Sequence, residues 1–326
     1  MNITKKQHYV PRHYLKAWCF EGEKIFCCRD GKTFASNLMG VANERYFYEI
    51  HEMTSNDINF INRILIKNPN SDLGRSCLNW LSLLSPNSIK DVVLNAIRPH
   101  LDQDRKNGIV RDEEKISRDL DETLNVAKKQ MGEDIQTQLE SSGIPMIDRL
   151  RAGDYSLLSD EDEVMKFYFY LSMQYARTRN MKNRLMCAFQ VKPDFDLEAC
   201  MNYIRLVFST NVSHDLFVSK YIIKIIENNT AVKFIAGDQP IVNIYATKKG
   251  IDNIVKELEF FYPISPAIAV IVSNNTSQTP PINCADVDAY NIHIAKQADC
   301  MIFSDDVNTL NYYSKYVSKG NASDEK

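Results

Sequence analysis

Apolar positions recur at helical spacing through most of the chain and give way to short β-type runs in its last third. From Asp160 to Gln190, Phe167, Leu171, Tyr175 and Thr178 recur at i, i+4, i+8 and i+11, which predicts a long helix. Ser159, with Asp162 three residues on, is its expected opening. A second long helix is predicted over Leu197 to Glu227, its stripe carrying Ile204, Val207, Asn211, His214, Val218 and Ile222. Pro193 separates the two and predicts an antiparallel helical hairpin. Shorter helices are expected over Ser55 to Ile66, capped by Ser55 or Asn56, over Leu73 to Leu84, stopped by Pro86, and over Ile89 to Ile97. The stretch Asp102 to Asp121 is densely charged, with Gly108 as a breaker. It leads into a solvated helix whose thin stripe is Ile116, Leu120, Leu124, Ala127, Met131 and Ile135.

The ends of the chain read differently. Pro11 suits the first turn of a short helix that turns Tyr14, Leu15 and Trp18 inward. Lys24 to Arg29, the turn Asp30-Gly31 and Thr33 to Ala35 predict a hairpin. Ala231 to Ala236, Leu258 to Tyr262 and Ala267 to Val272 are strand candidates, the last two joined through Pro263 to Pro266. Val287 to Ala298 reads as a helix, Cys300 to Phe303 as a strand and Val307 to Tyr316 as a last helix, capped by Asp305-Asp306. The expected fold is α+β: a predominantly helical body with a long antiparallel helix pair and a small, mostly antiparallel β-sheet formed by N- and C-terminal segments. The expected organisation is a single mixed domain over 1–317, with a charged helical excursion near 98–140 and a flexible tail over 318–326.

Composition narrows the class. The 326 residues are 44% hydrophobic and 25% charged, ordinary globular proportions that leave disorder to the ends. A net charge of −3 argues against a surface built to coat duplex nucleic acid, though not against a local basic cleft. No secretory leader and no membrane-spanning run is written in the chain, so residence is expected to be cytoplasmic. The eight cysteines are scattered without a CxxC pair and read as reduced thiols. Phosphate-binding glycine loops, HExxH, GxSxG and EF-hand loops are all absent.

Three polar constellations stand out against this background. His8 and Arg12 flank the start of the first helix, as an acid/base group and an anion clamp, or as a satisfied histidine beside packed aromatics. Gln174, Arg177 and Thr178 share one face of the long helix, beside its apolar stripe. A guanidinium there needs an acceptor, either a structural carboxylate such as Asp238 or a bound phosphate or carboxylate. Arg179 points away from that face and reads as solvated. Asp238, in Gly237-Asp238-Gln239-Pro240, stands at a strand end, where it serves metal or proton duty or an Asx turn. His214 reads as a satisfied core histidine, and His293 resembles it.

The opening KKQHYVPRHYL from Lys5 to Leu15, QYARTR from Gln174 to Arg179, AGDQP from Ala236 to Pro240, YPISP from Tyr262 to Pro266 and the late helix around Asn291 together resemble the uncharacterised bacterial domain-of-unknown-function family 4238. Where members of that family usually carry a Thr-Ser-like pair before the aspartate and Asn after it, this chain has Ala236-Gly237 and Gln239. The family brings no activity with it. The residues themselves suggest a phosphodiester or related hydrolase acting on an anionic substrate, with host defence as the expected setting. In that reading His8 and Asp238 are catalytic, Arg12, Gln174 and Arg177 bind substrate, and a divalent metal is the accommodated cofactor. The competing reading is a non-catalytic ligand- or protein-binding regulatory module, with a small anionic ligand or nucleic acid as partner, whose polar motifs form a structural network. Convergence of His8, Arg12, Arg177 and Asp238 is expected under either reading.

Overall fold

The computed structural model describes residues 3–84, 86–109, 112–189, 195–246, 257–277 and 281–317. The tail expected over 318–326 and the break at Pro193 lie outside the described residues. The N-terminal part forms β1 (Lys6–His8), α1 (Arg12–Leu15), β2 (Cys19–Glu21), β3 (Lys24–Arg29), β4 (Lys32–Asn37) and β5 (Asn43–Arg45). Helices α2 (Ser55–Leu65), α3 (Asp72–Leu83), α4 (Pro86–Lys106), α5 (Glu113–Arg151), α6 (Glu161–Ala176), α7 (Arg179–Phe189) and α8 (Leu197–Val218) follow. The rest of the chain is β6 (Ile222–Glu227), β7 (Ala236–Gly237), β8 (Val242–Asn243), β9 (Glu259–Ser265), β10 (Ile268–Ser273), α9 (Cys284–Gln297), β11 (Met301–Ser304) and α10 (Val307–Tyr313). All eight cysteines are free thiols. Among the described residues no helix is long and apolar enough to cross a membrane.

The chain divides into two compact units. One comprises Met1–Gln7, Arg45–Gln138 and Lys192–Asn211; the other comprises His8–Glu44, Leu139–Val191 and Val212–Lys326. The first unit is helical. Its α2 is capped by Thr54 rather than by Ser55 or Asn56, because Thr54 and Asp57 form a reciprocal capping box. Buried Tyr203 donates to Asn62 at 2.7 Å, and Trp80 Nε1 donates to Thr210 at 3.0 Å. Arg205, almost fully buried, lies over the rings of Phe47 and Tyr48.

The second unit holds two sheets. One has the order β6-β10-β9-β8 and is antiparallel, with Val270 of β10 opposite Ile225 of β6 and Tyr262 of β9. The other has the order β2-β3-β11-β7, with β4 also on β3, so N-terminal and C-terminal strands share one sheet. Cys27 of β3 faces Phe303 of β11, and Ile302 of β11 faces Gly237 of β7. The β3–β4 turn takes positive φ at Asp30 and Gly31, as a two-residue hairpin turn requires. Phe234, Phe261, Ile294, Ile302 and Leu310 are fully buried in one apolar cluster between sheet and helices.

Several elements depart from the sequence reading for identifiable reasons. The predicted helix over Leu197 to Glu227 stops at Val218, and Ile222–Glu227 is strand β6. Lys220 takes a left-handed φ of 53°, and Tyr221 N donates to the carbonyl of Leu216 at 3.0 Å, closing a Schellman turn. The isoleucines beyond it are β-branched and favour the pleated strand. The predicted helix over Asp160 to Gln190 is two helices, α6 and α7, because Thr178 interrupts it. The Thr178 hydroxyl accepts from Met181 N at 3.3 Å and so caps α7. Asp160, not Ser159, caps α6. Pro263 lies inside β9 rather than in a connection. Among the described residues β8 pairs with β9 at Phe260 and Phe261, and Pro263 stands opposite Ala269 of β10. Of Ala231 to Ala236, only Ala236 enters a strand, β7. Asp306 caps α10 as read.

Candidate functional site

All of the sequence-predicted site residues belong to the second unit, where they form two clusters rather than one. The first is built on Asp238, which follows β7 and is fully buried. Its Oδ1 accepts from the backbone N–H of Asp299 at 2.7 Å. Its Oδ2 accepts from the N–H groups of Cys300 and Met301, both at 2.9 Å. The carboxylate therefore clasps the turn between α9 and β11, while Asp238 N donates to the Met301 carbonyl at 3.0 Å. Burial pushes Asp238 up from 3.8 to about 6 and the nearby Asp299 charge adds to this, while the three amide bonds oppose it.

The groups around Asp238 come from motifs far apart in the chain. Asp299 is ion-paired to Arg179 at the start of α7, Nε to Oδ2, at 3.3 Å. It also accepts from Asn183 at 3.1 Å. Tyr9 is buried, and its phenol is pushed well above its ordinary value by burial and by the Asp238 charge. Burial and Asp238 likewise push the Cys300 thiol up, so it is a neutral thiol at neutral pH. One ligand atom from each of Asp238, Asp299 and Cys300 lies within 4.8 Å of the others. A carboxylate offers about four lone-pair directions; at Asp238 three are taken by backbone amides and the Cys300 thiol donates to the same carboxylate, so a cation there would take the place of the thiol proton. A metal seated there would deprotonate Cys300 on binding and would compete with Arg179 for Asp299.

The second cluster is built on Arg177, at the end of α6. Its side chain is 1% exposed, with Nη1 on the Glu140 carboxylate of α5 and Nη2 donating to the His8 carbonyl at 2.7 Å. The expected pairing of Arg177 with Asp238 is thus replaced by pairing with Glu140, whose place on α5 no spacing in the sequence links to α6. His8 feels the charges of Arg12, Glu140 and Arg177, and burial is the main cause of its lowered pKa. Its Nε2 lies 3.2 Å from the Leu38 carbonyl oxygen. Arg12 instead makes a surface ion pair with Glu23 at 3.0 Å. Gln174 is buried on α6.

Arg12 and Arg177 are electrostatic neighbours of His8. Asp238's hydrogen bonds go to backbone amides instead. A further strut joins the two clusters' elements: the Thr178 hydroxyl meets Gln239 Oε1, and Gln239 Nε2 donates to the Ile241 carbonyl at 2.8 Å. His214 is not a core histidine, since its side chain is 39% exposed beside Asp215. The residues that the sequence reading passed over are Glu140, Tyr9, Arg179, Asp299 and Cys300. Tyr9 and Arg179 lay inside the singled-out motifs, and Arg179 is half exposed rather than free of partners. An open cleft of about 770 Å³ is lined by Lys233, Asp288, Thr309 and Tyr312 among others, and no residue of either cluster lines it.

The family model for proteins of unknown function, DUF4238, matches residues 6–308, and the chain belongs to that family. No curated protein matches the chain, and no solved structure does.

Proposed function

We propose that the chain is a recognition module for a small anionic ligand, and that its buried motif residues hold the recognising edge in place rather than turning over a substrate. The supporting observation is Arg179. Its side chain is 48% exposed and its Nε is held by Asp299, while no ion pair or hydrogen bond to its two Nη groups is found among the described residues. A guanidinium fixed at Nε and open at its fork suits bidentate recognition of a phosphate or carboxylate. The groups expected to do chemistry are, by contrast, already engaged: Arg177 is paired with Glu140, Arg12 with Glu23, and Asp238 accepts from three backbone amides. Titrating the full chain with inorganic phosphate should raise its melting temperature. Arg179→Gln should abolish that rise while leaving the ligand-free melting temperature within about 1 °C. A rise of equal size in Arg179→Gln would refute the assignment.

A second reading is favoured by the donor set of Asp238, Asp299 and Cys300. In it the chain is a hydrolase of a phosphodiester-class substrate, with a divalent metal on those three residues, and His8 and Asp238 are the catalytic groups. Arg12, Gln174 and Arg177 would bind the substrate, and host defence in the cytoplasm is the matching biological role. A zinc-class ion suits a mixed carboxylate and thiolate set with an open position. Isothermal titration with zinc separates the readings: binding lost in both Asp299→Asn and Cys300→Ser supports the metal, and heats unchanged by both substitutions refute it.

A further inference from the structure

The seam between α5 and α6 in the same unit carries a feature that the anion-recognition reading does not use. Helix α6 carries Tyr170, Gln174 and Arg177 at i, i+4 and i+7, so they lie along one face. That face packs on the end of α5 in a defined register. A Cβ on Gly143 would lie 2.0 Å from the ring of Tyr170, so that ring rests directly on the α5 backbone. One turn earlier on α5, Glu140 takes Arg177. The direction is antiparallel, and Gln174 is bracketed between these two contacts.

The neighbours of Gln174 are provided for. Arg177 has Glu140 and the His8 carbonyl, and Tyr170 shares a hydrogen bond with Tyr262. Gln174 itself is 1% exposed, and neither its Nε2 nor its Oε1 has a hydrogen-bond partner among the described residues. A second such atom belongs to α1. The Tyr14 hydroxyl is buried without a hydrogen-bond partner among the described residues, its ring stacks on Tyr262 at 5.2 Å, and it is electrostatically coupled to Tyr170 of the seam.

We infer that the α5–α6 seam is an internal hydration site, in which ordered water is held by the Gln174 carboxamide and extends towards the Tyr14 hydroxyl. Burying both halves of a carboxamide unpaired costs about 1–3 kcal/mol for each half, and folded proteins rarely tolerate it. Buried water is the usual remedy for buried polar groups that no protein group satisfies. Gln174 offers it both a donor and an acceptor. The water would also shield the Arg177–Glu140 pair, which lies one turn away.

The test uses the full chain labelled with ¹⁵N-glutamine, with Gln174 assigned through Met173–Gln174, a dipeptide that occurs once in the sequence. A nuclear Overhauser cross-peak between water and the Gln174 side-chain amide, with the sign of a long-lived contact, is the expected result. Gln174→Met keeps the volume and removes the polar atoms. It should lower the melting temperature by roughly 2 °C, because the water loses its anchor. Absence of the cross-peak overturns the inference. So does a higher melting temperature in Gln174→Met, which would mean that the carboxamide was dry and costly.

Discussion

The Asp238 turn and the Arg177 seam are both buried polar clusters in one unit, yet they meet the cost of burial in different ways. Asp238 is answered mainly by backbone, with three N–H groups from consecutive residues converging on one carboxylate beside the Cys300 thiol. Arg177 is answered by one carboxylate and one carbonyl from elements distant in sequence, and the face it shares contains an unanswered carboxamide. The first is a local clasp that fixes the path of the chain between α9 and β11. The second is a tertiary joint that ties α5, α6 and the β1–α1 segment together. A clasp made of backbone donors cannot be rebuilt by repacking, whereas a joint of side chains has neighbours that can shift. Rigidity is therefore expected at Asp238 and plasticity along the seam.

The sharpest way to break this contrast is to remove the clasp. Asp238→Ala leaves three buried N–H groups without an acceptor and should cost about 4 kcal/mol of stability by urea unfolding. A loss below about 1 kcal/mol would mean that the turn closes by itself.

The pH profile sharpens the same comparison. Asp238 rises from 3.8 in the free side chain to about 6 in the folded protein, so the native state holds a proton that the unfolded chain has already released. Its stabilising contribution is full below about pH 4 and is lost as pH rises through about 6. Relative to Asp238→Asn, which does not titrate, the wild type should lose about 2.5 kcal/mol between pH 4 and pH 7.5. Parallel urea-midpoint profiles for the two proteins would show that the carboxylate is not held up by its burial.

The seam is probed by Gly143→Ala. Helix propensity alone predicts that alanine stabilises α5 by about 1 kcal/mol. The contact with Tyr170 predicts the opposite, a net loss of about 2 kcal/mol as ring or helix gives way. The sign of the change in thermal unfolding decides whether α5 and α6 meet as described. The smallest effect belongs to Arg12→Ala. Arg12 and Glu23 are 39% and 48% exposed, so losing their pair should change stability by less than about 0.5 kcal/mol.

Much of this architecture is written locally. The Asp30-Gly31 hairpin, the helix over Val287 to Ala298 and the Asp306 cap need only a few adjacent residues to specify them, and they formed where the pattern placed them. So did the sharing of a sheet by N-terminal and C-terminal strands, which the β-type runs at both ends anticipated. Helical periodicity overreached where a local signal competes with it. The stripe that continues into Ile222 fits a helix and a buried strand equally well, and the Schellman turn at Lys220 decides between them.

Pairing across the chain was beyond local reading. The sequence singled out His8, Arg12, Gln174, Arg177 and Asp238 as polar residues embedded beside apolar runs, because such residues need partners once buried. It could not say which partners. Glu140 lies in a charged helix that looks solvated, and only the α5–α6 register brings it to Arg177. Asp299 and Cys300 look like an ordinary turn until Asp238 is set beneath their amides. The need for a partner is a property of the side chain and can be read from composition and position. The identity of the partner depends on which elements pack together, and that is fixed only when the whole chain has closed its core.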